Sequence, residues 1–487
     1  MSLSGLLWSV VSILIPFLIS FLVYKRYSDQ LSKFEGPFWA RYSSRWLERV
    51  SKEGNPETAF DALHNSLGTK VIRIAPNELH ISDVELYKTI YGQRSPFMKS
   101  SKFYDAFLAF GTAFGEMDPH KNRERRKLLN PFFSKAGTLK LEPVILHRLS
   151  LVLEKMERLA AEGPINVQDA LRCYTADIVS QISFGKPLEL TSENPSSFKA
   201  SYFAGFDAAL EAPMKLLFSP LLRLAYSALP FGVLTYIDHS LSRYLEIFKF
   251  SGLCFLEYKE RKHTAEHPIL FDNLSSIPES ARMTEAMSIL IAGSETTAFT
   301  LAKTIFLILS SPRVKEILVR QLDAEIPESG HMPCIQDLEK LDYLMACVKE
   351  GLRLGMGVSG RLPRVVPSGV ELFVEGKLIP PGTIVSMSAY TMHRSEEIWG
   401  PDALEFVPER WLKEDSKSLE HYLVSFSKGA RQCTGMNLAY AVIVAALAHT
   451  FRKFELTLKT QTVLTIDRFV QMIMGEGICV DLERREN

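Results

Sequence analysis

Two kinds of hydrophobic pattern occur along the chain, and helical spacing is the more common. From residue 83 to residue 311, apolar positions recur with the period of an α-helix. Residues 71–82 and 364–388 instead alternate apolar and polar side chains around turns that contain Pro and Gly, which predicts strands. A further apolar stretch at helical spacing follows residue 435. The pattern predicts a mainly α fold with a small β portion, in one compact catalytic domain.

The N-terminal run Leu3–Tyr24 is apolar throughout and carries no charged residue. Its length is close to the roughly 20 residues that cross a bilayer as a helix. A cleaved signal peptide would have a shorter apolar region and a basic start. Lys25 and Arg26 follow directly, so the positive-inside rule places the rest of the chain on the cytoplasmic side. The predicted division is a membrane anchor at 1–26, a hinge at 27–45 and a catalytic domain at 46–487.

Charge and cysteine content narrow the class of protein. The 487 residues include 56 Lys+Arg and 56 Asp+Glu, so the formal net charge gives no reason to expect nucleic acid as a partner. Six cysteines are too few and too scattered for a disulfide scaffold, and they suit a reducing compartment. No CxxC pair occurs, which argues against a zinc ribbon.

A long apolar stretch, Met283–Ser311, is expected to form one buried helix that Pro312 ends. Its centre reads AGSETT, which is polar where a structural helix would carry Ala and Leu. Gly293 costs about 1 kcal/mol in a helix interior. Glu295 is an ionisable group that is expensive to bury unless it finds a partner. We interpret this centre as a functional break in the helix.

Two further patterns carry polar chemistry. EGLR places Glu350 and Arg353 on one face of a helix, and Arg410 of FVPERW is expected to join them in a partly buried carboxylate–guanidinium network. FSKGARQCTG places a single cysteine, Cys433, in a loop of glycines and polar residues. Free cysteine is usually buried as a small hydrophobe, so this position indicates a special role.

In the order AGSETT, EGLR, FVPERW and FSKGARQCTG, these motifs resemble the cytochrome P-450 family of haem-thiolate monooxygenases. The resemblance covers nearly all of the chain after the anchor, and the cysteine loop matches the family pattern FxxGxRxCxG. The stretches RIAPNELHISD and LLNPFFS resemble the fungal secondary-metabolism branch, including its trichodiene-oxygenase-like members. The fold implied is the cytochrome P-450 fold, preceded by a single N-terminal transmembrane helix.

The resemblance implies that the cysteine loop holds haem b, an iron protoporphyrin IX. Cys433 would be the axial thiolate ligand of the iron, onto which a thiolate pushes electron density. Phe426 would pack against the ring beside the sulfur, and Gly429 would let backbone N–H groups approach that sulfur. Arg431 would pair with a haem propionate.

The resemblance also implies further arginine partners for the propionates. Arg126 aligns with the arginine of the family's W/HxxxR helix, although Asn122 stands where the family has Trp or His. In GRLPRVV, Arg361 matches the propionate-binding arginine better than Arg364 does.

On the other face of the haem, the resemblance implies that the long helix forms the oxygen site. Ala292 and Gly293 would leave room for oxygen beside a kinked helix. Glu295 and Thr296 match the family's acid–alcohol pair, which delivers protons during oxygen activation. Thr296 would hold water and oxygen, and Glu295 would connect to solvent. A structural network for folding and haem retention would comprise Glu350, Arg353 and Arg410.

The residues expected to line the substrate pocket are apolar or small, which indicates a lipophilic substrate. Four come from the loop Ser100–Phe114 and two from other pocket regions of the family, and they are Phe103, Phe107, Phe110, Phe114, Val358 and Met472. Terpenoids, polyketides and alkaloids all suit such a pocket, and a terpenoid is the substrate we expect. The stretch Met214–Tyr226 is expected to dip into the membrane surface.

The sequence contains no Walker loop, and no motif in it predicts a domain that binds a flavin or a nicotinamide cofactor. Electrons are therefore expected from a separate membrane-bound NADPH-cytochrome P-450 reductase. A basic helical segment near the cysteine loop is its expected dock, with Lys121, Arg123, Arg125 and Lys127. The resemblance further implies the endoplasmic reticulum membrane as the location, single-pass, with the catalytic domain cytoplasmic.

The leading interpretation is a monooxygenase that activates O2 with electrons from NADPH and hydroxylates or oxidises a hydrophobic secondary metabolite. Two alternatives remain. One is a haem-thiolate isomerase or dehydratase without O2 activation, which the pair Glu295 and Thr296 argues against. The other is a non-enzymatic haem- or sterol-binding protein, which would need neither a proton relay nor a reductase dock.

Overall fold

The computed structural model describes residues 29–485, except 230–232, 234, 235, 237, 261–265 and 327–332. Within these residues the chain is mainly helical with a small β portion, as the hydrophobic pattern predicts. The predicted anchor at 1–26 lies outside the described residues. Among the helices that are described, none has both the length and the apolar character of a bilayer span.

The elements below are numbered in chain order within the described residues. The α-helices are α1 Arg45–Glu53, α2 Pro56–Leu67, α3 Leu86–Tyr91, α4 Ser101–Tyr104, α5 Pro119–Phe133, α6 Lys135–Leu139, α7 Glu142–Ala160, α8 Val167–Phe184, α9 Leu190–Glu193, α10 Ser201–Ala209, α11 Glu211–Phe218, α12 Pro220–Ala228, α13 His239–Glu260, α14 Glu279–Leu309, α15 Pro312–Glu325, α16 Ile335–Leu338, α17 Asp342–Gly355, α18 Ala389–Arg394, α19 Glu396–Trp399, α20 Ser416–Leu419 and α21 Met436–Lys453. The 3-10 helices are Phe38–Arg41, Asp105–Phe107, Leu270–Leu274, Pro408–Leu412 and Gly429–Arg431. The strands are β1 Val71–Ala75, β2 Glu78–Ile81, β3 Met98–Lys99, β4 Ile165–Asn166, β5 Arg364–Val365, β6 Leu372–Val374, β7 Lys377–Ile379, β8 Ile384–Ser386, β9 Phe454–Leu458, β10 Thr465–Arg468, β11 Val470–Ile473 and β12 Cys479–Arg484.

The strands form small sheets at the edge of the helical core. The largest sheet has the order β1-β2-β8-β5-β3, in which β1 and β2 pair antiparallel and β2 and β8 pair parallel. The strands predicted within 71–82 and 364–388 are thereby confirmed. The sheet β4-β12-β9 and the hairpin β10-β11 were not predicted, although Phe454–Leu458 alternates apolar and polar side chains as a half-buried strand does.

Helix α14 runs through the centre of the helical core and packs against α8, α13, α17 and α21. It begins at Glu279, four residues before the predicted start, because Pro278 precedes it and an acidic residue favours the first turn of a helix. The helix continues without interruption to Leu309. The functional break expected at its centre is therefore not a break in helical structure.

The segment predicted as a hinge is packed against the largest sheet where it is described. Leu31 and Phe34 are buried among the side chains around β1 and β2. Asp29 forms an ion pair with Arg73 of β1 at 2.5 Å, and the Arg73 N–H donates to the carbonyl oxygen of Glu35 at 2.7 Å. These contacts fix residues 29–35 to the catalytic domain.

The carboxylate of Glu350 on α17 is buried and bonded on both oxygens. Arg353 donates from Nη2 to Oε1 at 2.7 Å and from Nε to Oε2 at 2.9 Å, and Arg410 donates from Nε to Oε1 at 3.0 Å. The Trp411 indole and the Val407 N–H donate to the same carboxylate. The structure thus brings together the three residues expected to form this network and adds two donors to it.

We predict that Glu350→Gln lowers the free energy of unfolding by about 3–5 kcal/mol, because it leaves buried Arg353 without a counter-charge and Arg410 with only the partly exposed Asp402, 3.3 Å away. The measurement is denaturant unfolding, with haem content followed in parallel. A matched control is Glu316→Gln, whose partner Arg320 is 72% exposed in its side chain. That exposed pair should contribute less than about 1 kcal/mol. If both variants lost the same free energy of unfolding, the buried network would contribute no more to stability than an exposed ion pair.

Candidate active site

The loop before α21 holds Cys433 in a fixed backbone conformation. Gly429 has φ +68°, and a Cβ atom there would lie 2.4 Å from the carbonyl carbon of Gly92, so the close approach of the loop to α3 requires glycine. The Cys433 N–H donates to the carbonyl oxygen of Phe426 at 2.8 Å. The Phe426 ring packs against Tyr440 of α21, with ring centroids 5.5 Å apart.

The Cys433 side chain is accessible to solvent, although it is surrounded by protein and lies deep in the molecule. Burial raises the pKa of its thiol, whereas a hydrogen bond from the Gly435 N–H and the charge of Arg126 lower it. Exposure combined with strong desolvation indicates that the side chain faces an internal opening instead of the outer surface. The thiol also precedes the N-terminus of α21, where the helix dipole favours a thiolate.

Helix α14 has an exposed position at its centre. Ala292 is exposed although Leu290 and Ser294 on either side are buried, and Thr296 one turn later is partly exposed. The Thr296 hydroxyl donates to the carbonyl oxygen of Ala292 at 2.8 Å. Since α14 packs against α21, we infer that Ala292, Thr296 and Cys433 border one internal opening.

Four cationic side chains gather near this opening. Burial holds the pKa of Lys99 well below its usual range, and repulsion from Arg364, Arg431 and Arg126 adds to that effect. Burial and Arg364 likewise lower the pKa of Arg431 to about 10. In the part of the chain that is described, no carboxylate lies within 4.0 Å of any of the four. The cluster is therefore a place for an anion that the chain itself does not supply.

The cysteine loop and the cation cluster share an arginine. Arg126 of α5 donates from Nη1 to the carbonyl oxygen of Gln432 at 2.7 Å and to the Thr434 hydroxyl at 3.1 Å. Arg431 donates to the backbone carbonyls of Glu116 and Met117. A haem with two propionates requires a cysteine sulfur for the iron, an internal opening and cations without carboxylate partners, and these residues supply those features.

The two arginines of GRLPRVV have different partners from those expected. Arg361 pairs with Glu78 at 2.8 Å, and its backbone N–H donates to Glu57, so its charge is already compensated. Arg364 on β5 is buried in the cation cluster and donates to the Tyr104 hydroxyl at 2.9 Å. The geometry therefore favours Arg364 over Arg361 for binding an anion.

Glu295 is 3% exposed and is held by Arg172 of α8, whose Nε lies 2.8 Å from Oε2. Arg172 also pairs with Asp207 of α10, which is 39% exposed in its side chain. Burial raises the pKa of Glu295, and Arg172 opposes that rise. The sequence identifies Glu295 as a group that needs a partner, but nothing in it indicates that Arg172 is that partner.

Gly293 serves a packing role in this structure. A Cβ atom at this position would lie 2.7 Å from Cγ2 of Val179, so glycine allows α14 and α8 to approach closely. The space that was expected beside Gly293 for oxygen is filled by Val179. Ala292 is the residue of the pair that faces the opening.

Aromatic residues from several elements form an apolar cluster between the 100–114 loop and the β10-β11 hairpin. Phe103, Phe107 and Phe114 pack around Phe469, with centroid distances of 5.9, 4.7 and 5.7 Å. Met472 packs against the same cluster, and Val358 is partly buried. Phe110 is 55% exposed and is not a member of this cluster, and its place in the pocket stays a prediction. Phe469 had no signal in the sequence beyond being aromatic.

The basic helix α5 has two faces. Lys121, Arg123 and Lys127 are exposed, as a docking surface requires. Arg125 instead points inward, 3.5 Å from Glu285 of α14, and burial raises the pKa of Glu285 to about 7. Arg125 is therefore not part of the exposed basic surface. Asn122 is buried and donates to the Ala113 carbonyl, so it has a structural partner.

We predict that Gly293→Ala destabilises the fold, because its new methyl group would overlap Val179 and overpacking costs about 1–3 kcal/mol. The double variant with Val179→Ala should recover most of the lost free energy of unfolding. The matched control is Gly205→Ala in α10, where a Cβ atom meets nothing within 4 Å and alanine favours the helix. Destabilisation that persists in the double variant would contradict the assigned contact.

Comparison with known proteins agrees with this geometry. The family model described as cytochrome P-450 matches residues 35–477. The chain is 31% identical to the cytochrome P-450 monooxygenase macH of Penicillium terrestre, over 96% of this chain and 95% of macH. It is 30% identical to the monooxygenase sdnE of Sordaria araneosa, over 93% and 92% of the two chains. It is also 31% identical to the monooxygenase tpcC of Cochliobolus heterostrophus, over 92% and 88%. The chain therefore belongs to the cytochrome P-450 family and is a haem-thiolate monooxygenase of fungal secondary metabolism.

Proposed function

We propose that this monooxygenase hydroxylates or oxidises a terpenoid, with electrons that pass from NADPH through a separate reductase. The observation that carries the proposal is the apolar cluster beside the opening. The cluster contains side chains from the 100–114 loop, α10, α11, α13, α14 and the β10-β11 hairpin. Its hydrophobic members, buried or partly buried, include Phe107, Phe206, Leu216, Met287, Ile291 and Phe469. Walls of this kind select hydrocarbon surface and offer little to a polar substrate.

The cofactor in this proposal is haem b, which supplies oxygen activation and C–H oxidation when bound. Cys433 would provide the thiolate, held by the Gly435 N–H and by the charge of Arg126. Arg126, Arg364, Arg431 and Lys99 would hold the two propionates. Neutralisation of those cations removes the repulsion that lowers the pKa of Lys99, so binding and charge compensation occur together.

Proton delivery in this proposal runs along α14. The Thr296 hydroxyl donates to the Ala292 carbonyl and keeps its own oxygen as an acceptor toward the opening. Glu295 is the adjacent residue, and burial raises the pKa of its carboxyl group while the ion pair with Arg172 opposes that rise. Arg172 and Asp207 extend from Glu295 to a partly exposed side chain, which gives the buried carboxyl a polar route to solvent.

The reductase would dock on the exposed side of α5. Lys121, Arg123 and Lys127 form a basic surface there, and Arg126 of the same helix contacts the cysteine loop through the Gln432 carbonyl. A negatively charged partner on this surface would lie one helix away from the thiolate. Charge complementarity of this kind steers association and fixes orientation.

For localisation, we propose the endoplasmic reticulum membrane, with the catalytic domain on the cytoplasmic side. The sequence Leu3–Tyr24 supplies the anchor in this proposal. Exposed apolar side chains on the body support it. Leu221 is 80% and Leu224 63% exposed on α12, and Trp39, close to the start of the described chain, is 64% exposed. Large apolar side chains that are exposed in this way favour contact with a membrane surface.

We predict that the full-length protein, reconstituted in vesicles with a fungal reductase, converts a terpene hydrocarbon to an alcohol when NADPH and O2 are supplied. Mass spectrometry with ¹⁸O2 should find one labelled oxygen atom in the product. Thr296→Ala should release more hydrogen peroxide per NADPH consumed, by about tenfold or more, because the Thr296 oxygen would position the group that delivers the proton and positioned proton transfer contributes roughly 10²–10⁴-fold. Ser310→Ala, at the end of the same helix, is the matched control.

Three results would each contradict a different part of this proposal. Oxidation of polyketides or alkaloids but of no terpenoid would contradict the substrate class while leaving the enzyme class intact. Peroxide release that is the same in Thr296→Ala as in the native protein would remove Thr296 from proton delivery. Turnover without any reductase would contradict the proposed electron source.

We predict that Arg364→Met weakens haem retention by about tenfold, which equals about 1.4 kcal/mol, the scale of one charge-assisted hydrogen bond. The measurement is the rate of haem transfer to an excess of apomyoglobin. Arg361→Met should instead lower the stability of the fold, because it leaves the buried Glu78 without its partner, and should retain haem normally in the folded fraction. Slower haem loss from Arg364→Met than from Arg361→Met would contradict this assignment.

A further inference from the structure

A second cavity of about 340 Å³ lies further along α14, outside the opening beside Cys433. Its wall contains Phe299 and Lys303 of α14, the end of α17, part of α18 and the strand β10. It shares no lining residue with the apolar cluster or with the cysteine loop. The segment at Gly357 separates the two spaces, because a Cβ atom there would lie 2.7 Å from the Thr296 carbonyl oxygen.

The two carboxylates in the wall already have protein partners. Asp467 accepts from the Ser359 hydroxyl at 3.0 Å and from the Phe469 N–H at 2.7 Å. Glu57 accepts from the Arg361 N–H at 2.8 Å and lies 3.4 Å from His80. Protein groups therefore contact both carboxylates, Asp467 through neutral donors and Glu57 through an N–H donor and the neighbouring His80.

The two cations in the wall lack such partners. None of the ion pairs among the described residues involves Lys303 or Arg394, and Nε of Arg394 is buried without a hydrogen-bond partner. Each instead lies over an aromatic ring, with Lys303 4.8 Å from Phe306 and Arg394 4.4 Å from Tyr390. Burial and repulsion from Arg394 lower the pKa of Lys303, and the carboxyl group of Asp61 interacts with Arg394 without forming an ion pair within 4.0 Å.

The rest of the wall contains both polar side chains, which are Asn55, Thr58, Ser359, Thr465 and Gln471, and an apolar part. Phe299, Leu354, Met356, Val463 and Leu464 all line the cavity, and the Tyr390 ring joins them. A cavity of this volume matches the lower end of the range for small organic ligands, which is about 300–1,000 Å³. The wall thus combines an unpaired positive end with hydrocarbon surface.

We propose that this cavity binds a small organic carboxylate, with its carboxylate between Lys303 and Arg394 and its apolar part against Phe299 and Tyr390. This site is separate from the monooxygenase centre, and the proposal does not depend on the substrate assigned above. Bidentate or paired contacts from Arg and Lys to a carboxylate are strong when the groups are partly desolvated.

The test uses the haem-loaded full-length chain in detergent, with clotrimazole bound so that the opening beside Cys433 is occupied. The probe is 4-phenylbutyrate, its neutral counterpart is 4-phenylbutyramide, and inorganic phosphate tests the anion alone. We expect the acid to bind with a 1:1 stoichiometry in isothermal titration calorimetry, and the amide and phosphate to bind at least about tenfold more weakly.

Lys303→Met and Arg394→Gln should each weaken binding of the acid by about tenfold, whereas Lys303→Arg should retain most of it. Lys417→Met, which removes an exposed lysine on α20, is the control for net charge. Absorbance of the haem and circular dichroism establish that each variant is folded. If a variant does not fold, the comparison of acid with amide on the native chain still decides.

Several results would overturn the proposal. They are the absence of binding, equal affinity for acid and amide, phosphate binding as tight as that of the acid, or unchanged affinity in both charge variants. Binding that appears only when clotrimazole is omitted would place the probe beside Cys433 and would equally overturn it.

Discussion

The position of the cysteine loop depends on one buried carboxylate, that of Glu350. It is shared by donors from α17 itself and from the segment around Arg410, so it joins two parts of the chain that are 60 residues apart. The next segment is tied to the same helix, because the Ser425 hydroxyl donates to the Leu352 carbonyl at 2.8 Å. Cys433 follows eight residues later along that path. A buried charge with every oxygen bonded specifies one geometry, since each alternative arrangement leaves an unpaired ion.

The electrostatics of Glu350 and of the cation cluster are opposite in kind. At Glu350, each charge finds its counter-charge within the chain, and the network is closed. Around Lys99 and Arg364, positive charges gather with no carboxylate within 4.0 Å in the described part of the chain. A chain that folds around such repulsion keeps it only if a bound anion removes it. The presence or absence of a counter-charge therefore distinguishes residues that stabilise the fold from residues that bind a ligand. Burial does not distinguish them, because residues of both kinds are buried.

What the sequence predicts well is local, and what it misses is the choice of partner. The strands at 71–82 and the long helix α14 follow from periodicity, because their hydrogen bonds and apolar faces are set by neighbouring residues. The short motifs identify Cys433 and Glu350, since each motif contains the residue and its backbone context. The Arg361–Glu78 pair spans 283 positions and the Arg172–Glu295 pair spans 123, and no spacing rule reaches so far.

Short patterns also mislead when their structural context is absent. Residues 355–360 read GxGxxG, the pattern of a dinucleotide-binding loop, yet they follow the end of α17 and open no helix. Gly357 is explained by the nearby carbonyl of Thr296, and Gly293 by Val179 on the next helix. In both cases glycine is needed because two elements of the fold approach closely. A pattern of residues along the sequence does not contain this information about packing.

One stripe of α14 connects the two spaces inside the molecule. Ala292, Thr296, Phe299 and Lys303 are separated by four, three and four residues, so they lie on the same face of the helix. The first two border the opening beside Cys433, and the last two line the second cavity. At about 1.5 Å per residue, the ends of the stripe are roughly 16 Å apart. Since α14 is continuous and the segment at Gly357 contacts Thr296, displacement of the wall at Phe299 would reach Thr296 through one turn of rigid helix. The helix that carries Thr296 is therefore also the element through which a ligand in the second cavity would act on Thr296.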